Sequence, residues 1–151
     1  MKRAIEIIKQ PRQIVLDEIS HLSVEQLNKI PQGFNNNIIW NLGHMIAAQQ
    51  GICYKRAGLD VRVDEALFHA YKSDTKPEGF VDAEGVEEIK KLLFTTLDQL
   101  EADYDNGIVN NYTLFVTRYG IPLSSIDEAI AFLPFHEGLH IGYIMSLRKL
   151  V

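Results

Sequence analysis

"FLPFHEGLHIGYI", residues 132–144, is the stretch on which the reading of this chain turns. Around it, Ala129, Leu133, His136, His140, Tyr143 and Leu147 recur at steps of 4, 3, 4, 3 and 4. That is the period of an amphipathic helix, and it predicts both histidines in inward-facing slots. Ser125 and Glu128 stand at capping-box spacing, so the helix is expected to start there and to run to about Lys149. Within it, residues four apart lie about 40° apart around the axis and about 6 Å apart along it.

The same period recurs upstream. A first helix is expected over roughly 2–20, with Ala4, Ile8, Val15 and Ile19 inward and Lys2, Arg3, Lys9 and Arg12 in water. Pro11 within it marks either a kink or a new helix start. "SVEQLNKIP" reads as a short connecting helix, with Ser23 and Gln26 as a second capping box. Another long helix opens after "FNNN", with Asn35 to Asn37 as candidate N-caps, and ends near Ala57 before Gly58. Residues 58–80 form a long connection with a helical turn around Val63–Tyr71. The third long helix spans about Asp82 to Tyr104 on a stripe of Val86, Ile89, Leu93, Leu97, Leu100 and Tyr104. "NYTLFVTRYGIPLSS", 111–125, reads as extended, enough for one strand or hairpin near 111–121. The fold class is therefore all-α: a four-helix bundle with two long connections and a short connecting helix, forming a single domain over 1–151. Connections of such length are uncommon unless functional, and these two are expected to cover one end of the bundle.

Composition narrows the function. Hydrophobic residues make up 46% and charged residues 23%, ordinary for a globular chain. The net charge of −5 argues against a nucleic-acid partner, which asks for a basic face. No apolar run is long enough to span a bilayer, and the N-terminus lacks the apolar core of a signal peptide. A cytoplasmic location with no membrane partner is expected. The one cysteine, Cys53, excludes an internal disulfide. It falls on the far half of its helix from His44 and reads as a small buried hydrophobe.

Two imidazoles at i and i+4 can converge on one metal ion. In the second long helix, Trp40, His44, Ala47 or Ala48, and Gly51 share a face, with small residues beside His44. Three core histidines on two helices need either three separate sets of polar partners or one shared metal, since burying an unpartnered imidazole costs on the order of 1–3 kcal/mol. His21 and His69 fall near helix ends and read as surface residues. The letters "HEGLH" also match the H-E-x-x-H signature of zinc proteases. That class draws its third ligand from downstream, and none of the eleven residues after His140 is Asp, Glu or His. A zincin protease is excluded, and His44 is the best third ligand. Glu137 stays open between a carboxylate orienting an imidazole, a general base beside the metal, and a partly exposed residue in a helix-surface pair.

With "NNNIIWNLGHM" around His44 and "FLPFHEGLHIGYI" around His136 and His140, the chain resembles the DinB-like proteins over essentially its whole length. The resemblance implies a four-helix bundle, often homodimeric, in which His44, His136 and His140 bind a divalent metal, zinc or nickel. It implies a thiol S-transferase or thiol-dependent isomerase using a low-molecular-weight thiol such as bacillithiol, mycothiol or glutathione on a small-molecule substrate. Relatives often carry Arg-Gly-Gln after the second histidine of the pair. Here Ile141, Gly142 and Tyr143 follow, which bears on substrate or thiol more than on metal. The competing readings are a metal-dependent hydrolase, a non-catalytic metal- or ligand-binding bundle, and a structural bundle with buried histidines. Trp40, Tyr112 and Tyr119 are candidates for contacting an electrophile.

Overall fold

The computed structural model describes residues 2–151. In chain order its elements are α1 (Lys2–Ile19), α2 (Val24–Asn28), α3 (Ile38–Cys53), a 3-10 turn (Lys55–Ala57), α4 (Glu65–Tyr71), α5 (Ala83–Asp105), β1 (Phe115–Val116), β2 (Pro122–Leu123) and α6 (Ile126–Leu147). The two strands pair antiparallel, Phe115 opposite Leu123 and Val116 opposite Pro122. The chain is all-α apart from this small ribbon, as its periodicity predicts.

The helix ends follow local chemistry. Ser23 and Gln26 close both halves of the capping box on α2. Asn37 is the N-cap of α3: its side-chain oxygen accepts from the Trp40 amide, while its Nδ2 donates to the Asn28 carbonyl, fixing α2 against α3. Gly58 ends the 3-10 turn at φ 75°, a left-handed conformation that suits glycine. Ser125 caps α6 by accepting from the Glu128 amide, but Glu128 reaches back to Ser124 rather than to Ser125. Pro11 neither breaks nor restarts α1, which runs through it as one helix.

The helix α1 packs on α5 and α6, and α3 packs on the same two, so α1 lies across the bundle from α3. The buried apolar residues divide into two clusters. One includes Val15, Leu42, Ile46, Leu93 and Ile144. The other includes Ile8, Cys53, Leu97, Leu100 and Leu133. Polar residues lie between the two along each long helix. Arg12 of α1 is fully buried, and its guanidinium meets both oxygens of Glu137 on α6, with Nε at 3.0 Å from Oε2. A third donor, Nη1, bonds the Leu93 carbonyl of α5. Beside it, Gln49 of α3 and Thr96 of α5 exchange hydrogen bonds, the Thr96 hydroxyl donating to Oε1 and Nε2 donating to the Thr96 carbonyl. A polar layer thus crosses the middle of the bundle.

This layer corrects two expectations. Arg12 is not in water; its charge is met inside by a carboxylate. The inward stripe of α6 is also displaced. Ala129, Leu133 and Leu147 are buried as predicted, but Glu137 and Ile144 complete the stripe and Tyr143 is 51% exposed. Glu137 lies about 100° around the helix from His136, so His136 and His140 sit on the flank of α6 rather than along its inner edge.

Breaking a buried pair leaves an uncompensated charge, costing about 3–5 kcal/mol, whereas replacing both partners by apolar groups is often neutral. Urea unfolding should therefore show Arg12→Met or Glu137→Leu losing about that much, and the double variant recovering most of it. Losses below about 1 kcal/mol in both single variants would contradict a pairing role.

Candidate metal centre

His44 comes from the middle of α3, and His136 and His140 from successive turns of α6. Their ring centroids are 5.2 Å apart for His44 and His136, 4.6 Å for His44 and His140, and 4.7 Å for His136 and His140. One candidate ligand atom from each lies within 4.8 Å of the other two. The structure thus brings together the three histidines singled out in the sequence. His21 and His69 stay on the surface, as expected.

The hydrogen bonds around these rings decide what their nitrogens can do. His44 Nδ1 is 2.7 Å from the Tyr71 carbonyl oxygen, which can only accept. Nδ1 therefore carries the hydrogen, and Nε2 keeps its lone pair. His140 Nδ1 is 2.9 Å from Asn41 Oδ1. The Asn41 amide nitrogen donates to the Asn37 carbonyl and to Asn36 Oδ1, which orients its oxygen toward His140. His140 is consequently also the Nδ1–H tautomer with Nε2 free. Among the described residues, His136 Nδ1 is buried with no hydrogen-bond partner. Two rings oriented through one nitrogen with the other bare, beside a third with an orphaned nitrogen, form a donor set suited to a divalent metal. Ligating histidines characteristically hold their second nitrogen in such a bond.

Asn41 and the Tyr71 carbonyl escaped the sequence reading. Asn41 had a visible signal: a polar residue three before His44, inside an otherwise apolar helical run. Tyr71 had none, because its carbonyl arrives from another helix. Gly43 makes that approach possible, since a Cβ there would meet the Tyr71 ring at 2.5–2.8 Å. Trp40 stacks on His44 with ring centroids 4.8 Å apart and planes 10° apart, and its Nε1 donates to the Thr75 hydroxyl. Trp40 therefore walls the site and fixes the ring. Tyr112 belongs to the apolar cluster around Cys53, its hydroxyl buried without a partner and its pKa pushed up to about 12, chiefly by burial.

Glu137 is 2% exposed, which corrects the reading of a partly exposed surface pair. Its oxygens are turned to Arg12, and among the described residues it bonds no imidazole. Cys53 is fully buried, and burial raises its thiol well above the ordinary range, which disqualifies it as a nucleophile.

A cleft of about 570 Å³ opens beside His136. Ala47, Ala48 and Gly51 of α3 form one side, and Thr117, Arg118 and Tyr119 of the β1–β2 turn face them. Lys72, Ser73 and Asp74, which follow α4, also contribute. Both long connections, expected to cover one end of the bundle, thus contribute residues to this cleft.

The centre is a helical bundle that gathers imidazoles from two helices beneath two covering loops. The DinB superfamily model matches residues 7–144, and the chain belongs to that superfamily. No curated protein matches it.

Burial lowers the pKa of all three rings. His136 is pushed down to about 4 by desolvation, then by His44, Arg118 and Arg12. His140 falls to about 3 through desolvation, His44, His136 and Arg118. His44 is lowered chiefly by desolvation, against the pull of its bond to Tyr71. These folded-state values lie below the ordinary 6.5. The unfolded chain therefore binds more protons below that pH, and the metal-free protein loses stability as pH falls from 6.5 toward 4. Urea midpoints measured with chelator across that window should decline, less steeply in His140→Gln. A variant with an unchanged slope would contradict the assignment.

Proposed function

We propose that this chain is a divalent-metal-dependent enzyme that transfers a low-molecular-weight thiol to a small electrophile, with His44, His136 and His140 holding zinc or nickel. The observation that carries the reading is the pair of fixed tautomers, His44 on the Tyr71 carbonyl and His140 on Asn41, each leaving Nε2 bare. Three protein ligands leave a coordination position open, the mark of a catalytic rather than a structural site. A divalent ion held there supplies the charge that keeps a thiol deprotonated at neutral pH.

The remaining work falls to the chain itself. Asn41 and Tyr71 orient two of the rings, and Trp40 and Phe132 flank them and limit the access of water. The one cysteine, Cys53, is fully buried and does not line the cleft, which favours an external thiol. The cleft volume suits a small molecule. No described helix is long and apolar enough to cross a membrane, consistent with action on a dissolved substrate in the cytoplasm.

Untagged protein should purify with close to one metal ion per chain. His44→Ala should abolish this, and Asn41→Ala should weaken affinity about 10–100-fold. Metal-loaded protein should conjugate a thiol to a generic electrophile, and the chelated protein should not. Ester hydrolysis without thiol would replace the transferase reading by a hydrolase. Metal-free protein indifferent to chelators would remove both. The homodimer implied by the resemblance has a candidate face in Phe135, Leu139 and Tyr143, exposed along one side of α6. Sedimentation should give twice the chain mass, and a monomer would refute the dimer.

A further inference from the structure

The chain carries a net charge of −5, yet the cleft beside His136 is lined by Lys55, Arg56, Lys72 and Arg118 against a single carboxylate, Asp74. Lys55 is already engaged by Glu65 at 3.1 Å and Asp60 at 3.6 Å. Arg56 lies over the Phe115 ring, 4.0 Å from its centroid. Among the described residues, neither Lys72 nor Arg118 makes an ion pair. Their chain positions bring them from opposite covers, Lys72 from the end of α4 and Arg118 from the β1–β2 turn. Arg118 and His136 line the same cleft. Between these cations the walls are apolar, with Phe68, Phe115 and Phe132 among them.

A cationic cleft on an acidic protein focuses its field on anions. An arginine fork suits the paired oxygens of a carboxylate or phosphate. We propose that the substrate is a small organic anion with an apolar body, its carboxylate or phosphate group held by Arg118 and Lys72 and its reacting end directed to His136. Calling this anion the substrate rests on the reading of the triad as a reaction centre. The charge preference of the cleft does not, and it can be measured without metal.

The probes are 1-naphthoate, 1-naphthyl phosphate and the neutral 1-naphthamide, titrated calorimetrically into chelated and metal-loaded protein. At least one anion should bind about fivefold more tightly than the amide, the scale of a solvent-facing ion pair. The tighter anion identifies the group. Arg118→Gln should remove most of that preference and Lys72→Gln part of it, with amide binding unchanged and the unfolding midpoint unmoved. Preference should also shrink as salt is raised. Equal binding of all three probes, no measurable binding of the anions, or a preference indifferent to Arg118→Gln overturns the proposal. A preference retained in chelated protein, without thiol transfer by the loaded protein, would leave the anion cleft standing and remove the transferase. Thiol transfer without charge preference would do the reverse.

Discussion

The Arg12–Glu137 ion pair is the constraint on which the placement of the site depends. It lies between two apolar clusters and joins α1 to α6 through both carboxylate oxygens and to α5 through the Leu93 carbonyl. A charge in such surroundings is tolerable only when paired and hydrogen-bonded, so the pair admits very few relative positions of the three helices. Because desolvating the two charges offsets much of their attraction, the pair adds little net stability over apolar residues of the same size. A sequence with leucines at both positions could pack as well, but α6 would be freer to rotate. With Glu137 held inward, His136 is turned about 100° away, to the side where α3 presents His44.

The bare nitrogens of the triad depend on a second set of constraints. Asn37 caps α3 and also accepts, through its carbonyl, a hydrogen bond from Asn41, whose oxygen in turn orients His140. Gly43 lets Tyr71 sit against α3, and the Tyr71 carbonyl orients His44. Helix capping, close packing and imidazole tautomer are therefore linked within about two turns of α3. The site is prepared by groups whose individual roles are ordinary structural ones.

The helices were legible because their apolar residues repeat at 3.6 and their caps are local: Ser23, Asn37 and Ser125 are each read from a few neighbouring letters. The three histidines were legible for the same reason. Arg12 and Glu137 were not, because pattern reading assigns charged residues to water, and their partnership spans 125 positions. That omission displaced the inward stripe of α6 toward Tyr143. The Tyr71 carbonyl and the cations Lys72 and Arg118 were invisible for a related cause. They reach the site from connections whose path no periodicity dictates.

The central claim is that His44, His136 and His140 ligate one divalent ion. Diffraction recorded at the absorption edge of the bound metal tests it most directly. A single anomalous peak is expected, bonded to all three imidazoles through Nε2 of His44 and His140, at about 2.0–2.1 Å for a zinc–imidazole bond. An ion bound elsewhere, or one ligated without His44, would contradict it.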